Sequence, residues 1–278
     1  MNTLSELDQQ LAQRYGSYAS YPTAIDPVLI ETYGDGPADE VDRLLDHFAQ
    51  AGKCVLDLGC GAGFTLCRLA PSVKAIWGFD EDADLLAAAR QRVASLGLTN
   101  ATIILGNVAV ATDVDPLPDQ TFDVVFSRRG PDVNPALLAK LKPEAYVIQE
   151  LYQDSPGLLE MFGRKSFMRD VGDNPHWLVE EYAWLGLTPV SLKEYYYESF
   201  FRDAEHLRAY LMQPTMFFSW PMPPLPYDES RDRPALDLYV RYNTTPKGIR
   251  LMQHRKIYLF RRAAVQYMPV APTVRPNF

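Results

Sequence analysis

The sequence predicts an α/β protein: a doubly wound, mostly parallel seven-stranded sheet with helices on both faces. A helical and irregular insertion is expected between the last two strands. Three observations carry this. Short apolar runs alternate with helical segments from about residue 53 to 150, the pattern of parallel strands joined by right-handed crossovers. The first run ends in a glycine-rich turn, "VLDLGCGAGFTL", Val55 to Leu66. The length of 278 residues, 47% of them hydrophobic, suits one core with elaborations.

The elements follow in order. Residues 3–14 and 37–51 read as helices; the second has Val41, Leu44, Leu45 and Phe48 at helical spacing and stops at Gly52. "CVLDLG" is short, apolar and closed by glycine, hence a buried strand. A helix starts at Phe64 and ends by Pro71. "AIWGFD" and "ATIIL" are the next strands, with "DADLLAAARQRVASLG" as the helix between them. "FDVVFS", a short helix over residues 135–142, and "AYVIQ" complete the alternating region.

Beyond residue 150 the pattern changes. Residues 174–186 read as a helix, 188–201 as an aromatic-rich extended segment, and 203–212 as another helix. Residues 214–234 hold six prolines among Phe217, Phe218, Trp220 and Tyr227, so an ordered irregular loop is expected there. A helix over 235–242 and a last strand over 256–261 close the chain. The expected divisions are an N-terminal helical lid segment (1–52), the core (53–197), a cap or insertion (198–255), and the last strand with a tail (256–278).

Composition narrows the function classes. The net charge of −8 argues against nucleic acid and anionic membrane as default partners. The balance is uneven, because no acid follows Asp237 while eight basic residues do. That segment reads as a solvated basic face or as a site for an anionic substrate. The three cysteines, Cys54, Cys60 and Cys67, form no C-x-x-C pair, and there are four histidines. No metal site is expected, and the thiols fit small core residues in a reducing, cytoplasmic setting. The first residues are polar and no run of 18 apolar residues occurs, so neither a signal peptide nor a membrane span is expected.

A glycine turn after a buried strand lets backbone N–H groups approach a polar ligand. The dinucleotide fingerprint is G-x-G-x-x-G. Here Gly59, Gly61 and Gly63 give G-x-G-x-G, preceded by Asp57 and followed by Phe64. This resembles the first motif of the class I S-adenosylmethionine-dependent methyltransferases, whose fold is Rossmann-like. "WGFDEDADLLAAAR", "LGNV", "LPDQTFDVVFS" and "LAKLKPEAYVIQE" are similar, in order, to that family's later motifs. Two departures are Asn107, where the family often has Asp, and Glu144-Ala145, where it has a glycine pair.

The resemblance implies S-adenosylmethionine as cofactor and assigns roles. Asp57 belongs near the ammonium. Gly59, Cys60, Gly61 and Gly63 pass beneath the ligand. Asp80, at the end of the second motif's strand, presents a carboxylate to the ribose diol. Glu81 is the alternative for that role, and a helix cap is the alternative role for Asp80. Asn107 and the Val108 backbone face the adenine, although Asn107 also suits a plain turn. Ser127 closes the fourth strand of the motif series beside the cofactor.

Methyl transfer from a sulfonium is an in-line displacement, so alignment and exclusion of water dominate and no universal catalytic residue is expected. For the acceptor, Arg128 and Arg129 follow the fourth strand and suit a carboxylate or phosphate. Tyr15, Tyr18 and Tyr21 lie in the segment that folds over the cofactor in many relatives. The expectation is a methyltransferase of a small molecule. An RNA methyltransferase using the basic tail, a cofactor-binding protein without turnover, and an NAD-linked oxidoreductase are the alternatives.

Overall fold

The computed structural model describes residues 5–16, 20–21, 23–153, 158–163, 177–212 and 227–264. Tyr18 and the cluster Phe217, Phe218 and Trp220 lie outside them. In chain order the elements are α1 (Glu6–Tyr15), β1 (Leu29–Thr32), α2 (Pro37–Phe48), β2 (Cys54–Leu58), α3 (Phe64–Leu69), β3 (Ala75–Asp80), α4 (Ala83–Ser95), β4 (Ala101–Leu105), α5 (Ala111–Val114) and β5 (Phe122–Arg128). Then come α6 (Pro135–Leu138), β6 (Leu141–Gln153), α7 (Leu158–Met161), α8 (Trp177–Trp184), β7 (Leu187–Phe201), α9 (Ala204–Leu211), α10 (Glu229–Asn243), β8 (Thr244–Thr245) and β9 (Gly248–Arg262).

One sheet of nine strands runs β1-β7-β9-β6-β5-β2-β3-β4, with β8 paired to β9. The strands from β4 to β6 are parallel neighbours. β9 inserts antiparallel between β6 and β7. The predicted seven strands are therefore present, and two were not expected. β1 pairs antiparallel with β7 through the short stretch "LIET", and β8 forms a tight hairpin with the start of β9. Both are too short to show a readable alternation.

Each face of the sheet has its own core, as period-two alternation requires. On one face α2 and α3 cover Val55, Phe126, Ile148 and Ile257. On the other, α6 and α8 cover Leu56, Val125, Val147 and Phe260. α2 is thus a core helix, contributing buried Val41, Leu44 and Leu45. Within residues 1–52, Leu11 and Tyr15 of α1 and the nearby Tyr21 pack with Leu85 and Ala88 of α4 beside the cleft. The expected lid segment therefore reduces to α1 and its immediate continuation.

The expected limits of the insertion also shift. β7 runs to Phe201 and β9 begins at Gly248, so cuts at 198 and 255 would sever two long core strands. Residues 202–247 lie between them. α10 begins at Glu229, capped by Asp228, whose side chain accepts from the Arg231 N–H, and continues through Pro234. Capping chemistry outweighs the proline that had suggested a later start. Residues 141–142, expected in a helix, already belong to β6.

Candidate functional site

At the carboxyl ends of the parallel strands lies a cleft of about 480 Å³, lined by Tyr15, Gly59, Gly61, Asp80, Glu81, Asn107, Val108, Arg128, Arg129, Gly130 and others. This is where open α/β sheets bind ligands, and the volume suits a nucleoside-sized molecule. The strand-loop-helix from β2 to α3 forms its floor. Gly59 has φ 79°, and a Cβ there would stand 3.0 Å from Gly130 Cα and Pro131 Cδ. Gly130 in turn leaves room for the Leu58 carbonyl, which a Cβ would approach to 2.7 Å. The two loops touch where neither has a side chain. Gly63 caps α3 and abuts Ala89 of α4.

Asp57 lies beneath this loop, 3% exposed. Burial pushes its carboxyl up to about 8, against the attraction of Arg128; Asp80 adds to the rise and a backbone hydrogen bond from Leu66 opposes it. Its Oδ2 is buried with no hydrogen-bond partner, and such an orphan normally costs about 1–3 kcal/mol. An ammonium ligand would satisfy it. Cys60 is a buried thiol whose ionisation burial pushes up further, so it serves packing.

Asp80 closes β3 on the cleft wall. Its Oδ2 accepts from Gly61 N at 2.8 Å and its Oδ1 from Asp82 N at 3.0 Å. Burial raises its carboxyl above the ordinary value, and those backbone hydrogen bonds act the other way. The helix cap is Asp82, whose side chain accepts from Asp84 N and Leu85 N. Asp80 is therefore released from that task, and each oxygen keeps a further lone pair for a diol. Glu81 accepts from Asn107 Nδ2 at 2.7 Å. Asn107 Oδ1 accepts from Ala109 N at 2.8 Å, so the side-chain oxygen expected to meet the adenine serves its own turn. The Val108 backbone lines the cleft, and its carbonyl accepts from Asn134 Nδ2.

Ser127 is the penultimate residue of β5, which runs one residue past the expected strand end to Arg128; it is 1% exposed, with its Oγ lacking a partner. Tyr15 lines the cleft and donates its hydroxyl to Asp82. Tyr21 does not reach it: it is fully buried, meets Phe64 edge-on and donates to Asp8 at 2.7 Å. Burial and the Asp8 carboxylate fix it as a core residue, which corrects its expected place near the acceptor. Asp8 also pairs with Arg92 at 2.9 Å, so α1 is pinned to α4.

Sequence reasoning missed the acids that organise the arginines. Arg128 Nη1 lies 3.2 Å from Asp42 of α2, and its Nε 3.4 Å from Glu150 of β6. Glu150 is fully buried and also meets Arg255 of β9 at 2.5 Å. Burial would raise the Glu150 carboxyl, but Arg255, Arg129 and Arg128 hold it below its ordinary range. Arg129 has φ 60° and donates its backbone N–H to the Glu150 carbonyl. Asp132, three residues beyond Arg129, is outside the cleft lining; burial and then Glu181 push it to about 6. Asp42, Glu150 and Arg255 are distant in sequence, and only strand register brings them together.

Much of the basic C-terminal segment is tied down, with Arg262 donating to the Leu141 carbonyl and others paired with acids. Lys247 pairs with Glu31, Arg250 with Glu198, Lys256 with Glu194 and Arg261 with Glu144. Among the described residues no cluster of His, Cys, Asp and Glu could hold a metal, and no helix is long and apolar enough to cross a membrane.

Known proteins resemble this chain in sequence and in fold. Residues 49–158 match the model of a family described as a methyltransferase domain. The chain is 31% identical to a protein-L-isoaspartate O-methyltransferase of Saccharophagus degradans over 49% of its own length and 58% of the relative's. It is 40% identical to an uncharacterized methyltransferase of Schizosaccharomyces pombe over 26% of this chain and 25% of that one. The chain thus spans well under two thirds of these relatives. In structure, a protein of unknown function from Deinococcus radiodurans superposes with a TM-score of 0.61 at 18% identity, covering 93% of this chain and all of that one. A candidate methyltransferase of Bacillus halodurans gives 0.55 at 16% identity, covering 81% and 99%. The strand order, the glycine loop under the cleft and the sequence match agree: residues 49–158 form a methyltransferase domain of the class I, S-adenosylmethionine-dependent kind.

Proposed function

We propose that the protein is an S-adenosylmethionine-dependent methyltransferase acting on a small molecule by in-line transfer. The observation that carries the cofactor half is the partnerless Asp57 Oδ2 beneath a glycine loop at the cleft floor. Asp57 would hold the ammonium, Asp80 with Glu81 the ribose hydroxyls, and the Val108 backbone the adenine. Gly59, Cys60, Gly61 and Gly63 let the loop lie flat, with Ser127 near the end of β5 beside it. The cofactor supplies an activated methyl group on a positive sulfur. The chain's own residues orient the acceptor and exclude water, which suffices for displacement of so good a leaving group.

A small acceptor is supported by the cleft's volume of about 480 Å³ and by the pairing of much of the basic segment. Arg250, Arg255, Lys256 and Arg261, which an RNA reading would turn toward phosphates, each meet a carboxylate. Melting curves test the cofactor reading. S-adenosylhomocysteine raises the melting temperature because it binds the native state alone, and NAD does not. The reverse result overturns it. Turnover is then sought by mass analysis of metabolite pools incubated with labelled cofactor, where no labelled product would favour a binding protein without catalysis.

A further inference from the structure

On the α2 face, five adjacent strands each end a hydrophobic stripe with one polar side chain. β2 gives Asp57, β5 Arg128, β6 Glu150, β9 Arg255 and β7 Tyr197. Register fixes this row. Asp57 pairs with Phe126, Arg128 with Glu150, Glu150 with Ile257, and Arg255 with Tyr152 and Tyr195. Two-residue steps from the stripe of Val55, Phe126, Ile148, Ile257 and Tyr195 reach every member. The row runs from the glycine loop toward α9. Beyond it, the same face continues as Gln253, which donates to the Tyr210 hydroxyl at 3.0 Å, and then as the apolar cluster of Leu251, Ile249 and Phe201.

We propose that the arginines of this row, Arg128 and Arg255, with Arg129 beside them, receive an anionic group (a carboxylate or a phosphate) on the methyl acceptor. The proposal rests on the methyltransferase reading. Three guanidinium groups converge on one buried carboxylate, and two of them, Arg128 and Arg129, line the cleft itself. The like charges act on one another: beyond the effect of burial, Arg255 and Arg128 lower the tendency of Arg129 to hold its proton, with Glu150 opposing. These half-buried arginines keep their charge and present planar forks matched to carboxylate and phosphate oxygens. Glu150 holds those forks in place and competes with the incoming anion. The Arg255 guanidinium also lies 5.6 Å from the Tyr197 ring centre, which steadies it by a cation–π contact.

The test is calorimetric titration of the whole chain with phenyl phosphate, phenylacetate and phenylacetamide, each with and without S-adenosylhomocysteine. Both anions should bind at least about tenfold more tightly than the amide, as charge-assisted hydrogen bonds predict. The tighter of the two identifies the chemistry. Arg255→Gln should weaken the anions about tenfold or more, Arg255→Lys less, and both should leave S-adenosylhomocysteine within about threefold. Glu150→Gln should lower the melting temperature, and phenyl phosphate should restore it while phenylacetamide does not. Restoration requires that an anion reach the row, which a sealed structural ion pair would prevent. Equal binding of anions and amide overturns the proposal. So does loss of S-adenosylhomocysteine binding in Arg255→Gln, because the row would then serve the cofactor. Anions held through Arg255 with no S-adenosylhomocysteine binding would retain the site and reject the methyltransferase reading. Cofactor binding without anion preference would do the opposite.

Discussion

The two halves of the cleft are built by different means. The cofactor half, from β2 to β4, comes from one stretch of chain in which each strand turns directly into its loop and helix. Its polar groups are fixed locally: Asp80 bonds Gly61 and Asp82, and Asp82 caps α4. The half proposed for the acceptor joins Arg128 and Arg129 of the cleft wall to side chains behind them on β6, β9 and β7, so its members come from residues 128 to 255. It is held by long-range ion pairs around Glu150. A local half tolerates change elsewhere in the molecule; a long-range half depends on the whole sheet.

The largest expected effect comes at the seam between the halves. In Gly130→Ala the new Cβ would meet the Leu58 carbonyl and, a little farther off, Gly59 Cα, both backbone atoms, as well as Ser127 Oγ. Stability should fall by roughly 1–3 kcal/mol, the range for overpacking, and S-adenosylhomocysteine and anion binding should fall together. Loss of only one would show that the halves are separable, as chemical denaturation and titration of the variant would reveal.

Asp57→Asn comes next and separates stability from function. The raised pKa means that the folded protein prefers a protonated Asp57. The unfolded chain releases that proton above about pH 4, so the residue costs stability progressively as pH rises toward 8. Asparagine removes this cost, and the ligand-free variant should melt higher than wild type at pH 8 and equally at pH 4. S-adenosylhomocysteine affinity should fall about 10- to 100-fold. In wild type, ligand binding near pH 7 should release up to about one proton, visible as a buffer-dependent calorimetric heat, because an ammonium partner lowers the carboxyl pKa. No proton release in wild type would remove Asp57 from the site.

Asp80→Ala should also weaken S-adenosylhomocysteine about tenfold or more. Since Asp80 anchors Gly61 and Asp82, the ligand-free protein should lose about 1–2 kcal/mol as well. Weakened binding with unchanged stability would mean that the two backbone bonds contribute nothing. The smallest effect is expected for Tyr15→Phe, which removes one hydroxyl from Asp82. An affinity change within about threefold is expected; a much larger one would give α1 a direct part in holding the cofactor.

The difference between the halves also decides how much could be read in advance. Gly59, Gly61, Asp57 and Asp80 were legible because strand, turn and helix are neighbours in sequence and each has a local signature. Asn107 was legible in place, yet its side chain turned to Glu81 and Ala109, which residue type alone does not decide. Arg128 and Arg129 were visible, whereas Glu150, Arg255 and Asp42 were not, since only the antiparallel entry of β9 beside β6 brings them together. Tyr21 failed for a related reason: its aromatic pattern with Tyr15 looked like one surface, but Asp8 and Phe64 hold it inside. The basic C-terminal segment looked like a free face until pairing with acids from β1, β6 and β7 was seen.

The close approach of Gly59 and Gly130 has a consequence for recombination between relatives. A chimera joined anywhere between residues 59 and 130 would take one side of this contact from each parent. A parent carrying any side chain at the Gly130 position would press it into the other's loop, however well the strands align. Crossovers placed before β2 or after Pro131 keep the matched pair together, so new acceptor specificities should be easier to graft from the β6 side than by exchanging the loop at the end of β5.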